Sequence, residues 1–252
     1  MAKISAIIIT FNEENNIGDC LNSVKWADEI IIMDSKSSDK TAEIAYSFTK
    51  NIFFTDNLPY YAKKNMAIEK ASGEWILSID ADERVTDELK NEIISVINDP
   101  GLRFEAFDLK RKSFFISKFI RHCGWYPDYV TRLFKKSSGA KFSEKPVHEK
   151  LTPEGKIGKL NSDLLHYTNR DFEHYLKKLN IYTTYSANEL YSAGKKAGIF
   201  DIFFRPAFTF IKMYFLKLGI LDGFIGFILC FLSSIHVFVK YSKLYWLNSK
   251  NN

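Results

Sequence analysis

The sequence has few cysteines, and they lie far apart. Cys20, Cys123 and Cys230 form no Cys-x-x-Cys motif, so we expect neither a disulfide framework nor a zinc site, and a reducing, cytosolic-side location fits. Internal repeats and low-complexity tracts are also missing from the 252 residues. Met1 to Lys3 lead directly into an apolar run without a small-residue cleavage site, so we expect no secretory signal.

The chain also lacks a run of basic residues and any recognised nucleic-acid motif, so we expect no nucleic-acid partner. Its net charge of +5 is unevenly placed. From residue 195 onward, eight Lys or Arg residues stand against Asp201 and Asp222, which gives +6 and leaves −1 for residues 1–194. The same tail is very apolar. Basic and apolar character together predict contact with an anionic membrane surface.

Long uninterrupted apolar runs are scarce as well. Residues 223–239 carry no charge over seventeen residues, at the lower limit for crossing a bilayer. Arg205, Lys212 and Lys217 interrupt the preceding apolar block at 199–218. We therefore expect in-plane membrane helices or a re-entrant pair. The alternative is a helical pair that packs on the preceding domain or on a second subunit.

Over the first hundred residues, short apolar segments alternate with segments of helical spacing. This alternation predicts an α/β fold with a parallel sheet that is covered on both faces. A long amphipathic helix is predicted to begin near Asp171 and to end near Ser192. The predicted strands cover residues 3–10, 29–34, 51–55, 75–80, 104–115 and 130–134, and the predicted shorter helices begin near residues 17, 41, 60 and 87.

Asp80 and Asp82 follow the apolar run that begins at Trp75. Residues i and i+2 of an extended chain project to the same side, so we expect both carboxylates to point the same way. Asp34 also ends a predicted strand, which would bring acids from two strands to one edge of the sheet. Open α/β sheets bind ligands at this edge, and Mg²⁺ or Mn²⁺ takes carboxylates together with substrate phosphates. A metal–diphosphate site is one interpretation, and a polar loop after a core strand is the other.

Several segments, in this order and spacing, resemble the inverting family 2 glycosyltransferases. They are Ile7-Ile8-Ile9-Thr10-Phe11-Asn12-Glu13-Glu14, Glu29-Ile30-Ile31-Ile32-Met33-Asp34-Ser35, Lys64-Asn65 and Gly73-Glu74-Trp75-Ile76-Leu77-Ser78-Ile79-Asp80-Ala81-Asp82-Glu83. Later segments are similar to the subgroup of lipopolysaccharide-core β-1,4-glucosyltransferases. These are Tyr126-Pro127-Asp128, Arg132-Leu133-Phe134, Val147-His148-Glu149 and Gly219-Ile220-Leu221-Asp222-Gly223-Phe224.

The resemblance implies a GT-A fold, which is Rossmann-like, with a mixed, mostly parallel sheet and helices on both faces. Residues 1–168 would form this domain, and residues 169–252 a helical, basic and apolar membrane-associating region. The implied cofactor is a divalent cation, Mg²⁺ or Mn²⁺, and the implied donor is a UDP-sugar. The implied location is the cytoplasmic side of the inner (plasma) membrane, with peripheral or monotopic attachment.

For the nucleotide, the resemblance implies that Thr10, Asn12 and Glu14 border the base and ribose and that Asp34 hydrogen-bonds one of them. Lys64 would face the diphosphate. The family often has Asp-Asp-Gly-Ser where this chain continues from Asp34 with Ser-Lys-Ser, so the second acid and the glycine are missing. Asn12 as a turn residue and Lys64 as a solvated lysine are the alternatives.

For the chemistry, the resemblance implies that Asp80 and Asp82 hold the metal across the diphosphate, with His148 as a further ligand. The base that takes the acceptor's proton would be Asp128 or Glu149. A locally hydrogen-bonded histidine is the alternative for His148. Glu83 would support the acidic loop, and Arg132 would pair with an acid near the site or with a phosphate on the acceptor; the histidines expected to be structural are His122, His166 and His174.

The implied reaction transfers a sugar, glucose by the subgroup resemblance, from a UDP-sugar to a lipid-linked glycan such as the lipopolysaccharide inner core, with inversion. One alternative is transfer to a polyprenyl phosphate or a protein. Another is a non-catalytic, membrane-associated scaffold that retains a nucleotide-binding fold. The altered loop at 34–37 favours the scaffold, whereas the intact acid pair argues against it.

Overall fold

The computed structural model describes residues 2–56, 58–144, 150–169 and 171–250. The chain divides into two compact units. Unit 1 consists of residues 1–111 and 128–166, and unit 2 of residues 112–127 and 167–252. The boundary expected near residue 168 lies close to the passage from unit 1 to unit 2 at residues 166–167. Unit 2 also includes residues 112–127, which the sequence analysis placed in the first domain.

Unit 1 is an α/β unit in which strands and helices alternate up to residue 97. Its strands are β1 (Ile4–Thr10), β2 (Glu29–Asp34), β3 (Ile52–Phe54), β4 (Trp75–Asp80), β5 (Glu83–Val85), β6 (Ala106–Phe115, which continues into unit 2), β8 (Asp128–Lys135), β9 (Lys141–Phe142), β10 (Leu151–Thr152) and β11 (Ile157–Asn169, likewise). Its helices are α1 (Ile17–Val24), α2 (Thr41–Tyr46), α3 (Tyr60–Lys70) and α4 (Asp87–Ile97).

Among the described residues, the main sheet runs in the order β3-β2-β1-β4-β8-β6-β11-β5. β1 pairs in parallel with β2 and β4, and β4 pairs antiparallel with β8. The register sets Thr10 opposite Asp34 and Ile9 opposite Asp80. The carboxyl ends of β2 and β4 therefore flank the end of β1. The predicted α/β fold class with a mixed sheet is confirmed, and the parallel pairs lie among β1 to β4.

Alternate residues of β1 serve two different cores. Ile4 and Ile8 pack with α1 and α4 on one face of the sheet, and Ile7 and Ile9 pack with α3 on the other. All four side chains are buried, which is why the strand reads as a continuous apolar run rather than an alternating one. The prediction of a sheet covered on both faces is confirmed.

Unit 2 is largely helical. It contains β7 (Lys118–Phe119), α5 (Phe172–Ser192), α6 (Ile199–Ile211) and α7 (Gly223–Ser249), and its core is formed around Phe115, Ile120 and Leu229. The predicted long helix after Asp171 is confirmed. One stretch, Gly219–Ser249, is long and apolar enough to cross a membrane by length and composition, with a mean hydropathy of 2.0 in its most apolar window.

The sequence analysis missed β11. Its core-facing residues follow a period of two, but Gly158 before Leu160 and Ser162 between Leu160 and Leu164 take positions where apolar residues would have revealed the pattern. A second difference concerns Asp128, which precedes the predicted strand at 130–134 and is the first residue of β8. Both differences matter for the site, because β11 carries His166 and β8 carries Asp128 and Arg132.

Candidate active site

The carboxyl edge of the sheet brings together acids from two strands, as predicted. Asp34 ends β2 and Asp80 ends β4, and β1 lies between them. At a strand spacing of about 4.8 Å, their backbones lie about 10 Å apart. This separation leaves room for a ligand above the end of β1.

The two acids of the Asp80-Ala81-Asp82 segment do not share one strand. β4 ends at Asp80, and residues 81 and 82 form a turn before β5. The expectation that the extended chain aligns both carboxylates is therefore wrong. Arg84 holds the turn, because its Nη1 donates to the carbonyl oxygens of Ala81 at 2.9 Å and Glu83 at 2.8 Å.

Asp80 is paired with two cations. Lys64 on α3 places its Nζ 3.0 Å from Oδ1, and Arg132 on β8 donates from Nη2 to Oδ2. Lys64 is buried, so its alternative as a solvated lysine is wrong. The pairing of Arg132 with an acid near the site is confirmed. Burial alone would raise the pKa of Asp80, but the Arg132 and Lys64 charges outweigh burial and hold this pKa well below its usual range.

Glu83 is fully buried and extends the chain of charges. Its Oε1 accepts from Arg132 at 2.7 Å and lies 3.5 Å from Nη1 of Arg111. Its Oε2 accepts from the backbone N–H of Asp80 at 3.0 Å, which confirms the predicted supporting role. Burial lowers the pKa of Arg132, but the charges of Asp80 and Glu83 more than offset it and raise this pKa.

Asp128 lies at the solvent-exposed end of this series of paired charges. It stands opposite Arg111 in the β6–β8 register. Both Nε, at 2.9 Å, and Nη2 of Arg111 donate to its Oδ2. Its side chain is 42% exposed, in contrast to the buried Glu83. The arrangement presents a fixed and accessible carboxylate.

On the nucleotide side, Asp34 is buried and accepts from the backbone N–H and the hydroxyl of Ser37, both at 2.7 Å. It therefore shapes its own loop, and a contact from Asp34 to base or ribose stays a prediction. The hydroxyl of Thr10 is buried at the end of β1 without a hydrogen-bond partner among the described residues. A buried hydroxyl normally has a partner, so Thr10 is a candidate ligand contact.

Asn12 and Glu14 lock the loop after β1 to the loop after β2. Asn12 Oδ1 accepts from the backbone N–H of Ser38 at 2.8 Å, and Glu14 Oε2 accepts from that of Lys40 at 3.1 Å. The turn role that was the alternative for Asn12 is therefore present, with its backbone at a φ of 54°. Direct nucleotide contacts by these two residues stay predictions.

The sequence analysis expected His166 to be structural and did not foresee its contact with Asp82. β11 pairs with β5 so that His166 stands opposite Glu83, and its Nε2 lies 3.3 Å from Oδ2 of Asp82. The spacing of Leu160, Leu164 and His166 at even intervals was the available signal. It was obscured because β11 itself was not recognised.

A model of the family described as "Glycosyl transferase family 2" matches residues 5–139, which is more than half of the chain. The chain belongs to glycosyl transferase family 2. The matched residues carry Asp34, Lys64, Asp80, Asp82 and Asp128.

Relatives of this family 2 chain match it over nearly its whole length. The lipopolysaccharide core biosynthesis glycosyltransferase LpsC of Rhizobium meliloti is 28% identical, over 96% of this chain and 92% of LpsC. An uncharacterized glycosyltransferase of Rickettsia felis is 31% identical, over 100% and 93% of the two chains. The crystal structure of S. aureus TarS 1–349 in complex with UDP-GlcNAc superposes with a TM-score of 0.52 at 19% identity, over 68% of this chain and 60% of that one. This likeness shows a shared fold, the GT-A fold.

The predicted metal set of this family 2 member is Asp80, Asp82 and His148. His148 and the alternative base Glu149 lie outside the described residues. Within the described residues, no group of three His, Cys, Asp or Glu side chains is arranged to hold a metal ion. The donor atoms that do meet are the carboxylate of Asp82 and the ring nitrogen of His166.

Replacing Arg132 by methionine is expected to destabilise the protein strongly. The change leaves Asp80 and Glu83 with one cation fewer in a buried setting, which costs about 3–5 kcal/mol. Urea unfolding followed by tryptophan fluorescence measures the free energy of unfolding. The matched control is Arg103→Met, at an exposed position, which should change it by less than about 0.5 kcal/mol. Equal losses in the two variants would contradict a structural role for the Arg132 ion pairs.

Proposed function

We propose that this family 2 glycosyltransferase is metal-dependent, uses a UDP-sugar donor and transfers the sugar with inversion. The observation that carries the proposal is the meeting of Asp82 and His166 at the carboxyl edge of the sheet, beside the cations on Asp80. The complex of TarS with UDP-GlcNAc supports the choice of a UDP-sugar. Glucose is the proposed sugar on the subgroup resemblance.

The donor atoms suit a divalent cation. Asp82 supplies hard carboxylate oxygen, which Mg²⁺ and Mn²⁺ prefer, and His166 supplies an imidazole nitrogen that Mn²⁺ accepts. Their 3.3 Å approach and partial exposure leave both side chains within reach of a diphosphate. We propose that these two residues hold the cation, with phosphate oxygens and water as the other ligands. Bound there, the cation would neutralise the charge that accumulates on the departing UDP.

The proposed role of Asp80 differs from that of Asp82. Its carboxylate is already engaged by Lys64 and Arg132, so it is poorly placed to give up an oxygen to a metal. Its role is to fix these two cations at the site, where their charge favours a bound diphosphate. His148 as a further metal ligand remains a prediction.

The transfer is a single displacement. The acceptor hydroxyl oxygen forms a bond to the anomeric carbon while the bond from this carbon to the UDP oxygen breaks, and UDP leaves with the electron pair. We propose Asp128 as the base that receives the hydroxyl proton, on Oδ1, because Arg111 engages Oδ2. Arg111 fixes the direction of the carboxylate. Glu149 is the alternative base.

The proposed acceptor is a lipid-linked glycan such as the lipopolysaccharide inner core, as the chain's similarity to LpsC, a lipopolysaccharide core biosynthesis glycosyltransferase, suggests. Unit 2 supports peripheral attachment at the cytoplasmic side of the membrane. The three cysteines of the chain form no disulfide among the described residues, which fits a reducing compartment. α6 exposes one apolar face with Arg205 beside it, and this combination suits an anionic membrane surface; the exposed residues are Ile199, Phe200, Phe203, Phe204, Phe208 and Ile211.

Replacing His166 by glutamine is expected to raise the Mn²⁺ concentration for half-maximal UDP release at least about 10-fold, because a proposed ligand is lost. Asp82→Asn should lower the maximal rate by about 10²–10³-fold. His174→Gln, the same change at an exposed position of α5, is the control and should leave both values unchanged. Full activity of Asp82→Asn would refute the metal assignment.

Replacing Asp128 by asparagine is expected to lower kcat by about 10²–10⁴-fold, the usual contribution of a general base. The affinity for UDP should stay within a factor of about 2, since no donor contact is removed. Single-turnover transfer and UDP titration measure the two quantities. Asp163→Asn, which removes the carboxylate of a separate pair with Lys110 at 3.6 Å, serves as the control. Wild-type kcat in Asp128→Asn, together with loss of activity in Glu149→Gln, would assign the base to Glu149.

A further inference from the structure

Unit 2 contains a cavity lined mainly by basic side chains, which we call the basic cavity. Its volume is about 510 Å³, and its polar lining consists of Lys112, Lys118, Arg121, His122 and Asp222. This volume lies within the usual range of small-molecule sites. None of these residues takes part in the proposed sugar transfer.

Asp222 fixes the loop that lines the basic cavity. It is 3% exposed, and its Oδ2 accepts from the backbone N–H groups of Arg121 at 3.2 Å and His122 at 2.8 Å. Lys118 donates to its backbone carbonyl at 3.1 Å. Its carboxylate therefore binds the backbone of the loop that carries the cations, and its Oδ1 also lies 3.7 Å from Nζ of Lys118 and 3.4 Å from Nδ1 of His122. The loop is fixed, and its basic side chains are preorganised.

The charge of the lining selects an anion. Lys112, Lys118 and Arg121 stand against Asp222 alone, so the lining carries +2 with His122 neutral. Arginine offers forked N–H donors that match phosphate oxygens, and lysine adds compact charge. A divalent metal is disfavoured by the same charges.

Apolar side chains border the basic cavity and indicate where the anion comes from. Leu221 is 62% exposed and lines the cavity. Phe224, the second residue of α7, is 75% exposed. Large apolar side chains this exposed, next to clustered cations, are typical of segments that enter a lipid headgroup layer. We propose that the basic cavity binds the phosphate group of a membrane lipid, with Arg121 and Lys118 as its main contacts. This inference rests on the proposed membrane association of unit 2 and names the headgroup chemistry that it recognises.

The test is a vesicle sedimentation assay with the full chain. Three vesicle types are compared: phosphatidylcholine alone, phosphatidylcholine with phosphatidic acid, and phosphatidylcholine with oleate at matched surface charge. We expect the wild type to bind the phosphatidic acid vesicles about tenfold more tightly than the oleate vesicles, the difference that one or two charge-assisted hydrogen bonds produce. Lys118→Gln combined with Arg121→Gln should abolish this ratio. Lys195→Gln combined with Lys196→Gln removes the same charge from a different part of unit 2 and should retain it.

Arg121→Gln alone, at an exposed side chain, provides a second variant if loss of Lys118 unfolds the loop around Asp222. Equal binding of the wild type to phosphatidic acid and oleate vesicles would overturn the proposal, as would equal loss in the two double variants. If free glycerol 3-phosphate or UDP displaced the protein from the vesicles with an affinity equal to that of the lipid, the basic cavity would be a site for a soluble ligand. That result would also overturn the proposal. Binding to phosphatidylcholine alone reports membrane association, and UDP release reports sugar transfer, so failure of either is distinguished from failure of the phosphate site.

Discussion

Buried charge governs the architecture of this active site. Arg132 and Glu83 are almost inaccessible to water, and an ion in such a place costs several kcal/mol unless a partner of opposite sign is held close to it. The site meets this requirement with a chain of alternating charge that spans α3, β4, β5, β8 and β6. Its members, in order, are Lys64, Asp80, Arg132, Glu83, Arg111 and Asp128. Three acids balance three bases, so these six side chains are neutral as a group.

This series of paired charges gives the two acids of the Asp80-Ala81-Asp82 segment different partners. Asp80 is neutralised by Lys64 and Arg132, and it therefore holds cations rather than presenting a vacant ligand. Asp82 lies in the turn that Arg84 holds, and it contacts His166 instead. The position of the strand end, one residue after Ile79, produces the division. A strand two residues longer would have directed both carboxylates to the same side.

Much of the fold could be predicted from the sequence, because the parallel strands are buried on both faces and are apolar throughout. The edge with Asp34 and Asp80 followed from those strands alone. The partners of the acids could not be predicted, since Arg111, Arg132 and His166 lie 28 to 86 residues away from the acids at 80, 82 and 83 and reach them only through the antiparallel half of the sheet. β11 was missed because small and polar residues interrupt its period, and His166 was missed with it.

The most direct measurement is a calorimetric titration of the wild-type chain with UDP, in the presence of Mn²⁺ and after its removal by EDTA. If Asp82 and His166 hold a cation against the diphosphate, Mn²⁺ should tighten UDP binding at least about tenfold, equivalent to about 1.4 kcal/mol, and no such gain should remain in His166→Gln. The same affinity for UDP with and without Mn²⁺ in the wild type would contradict the central claim.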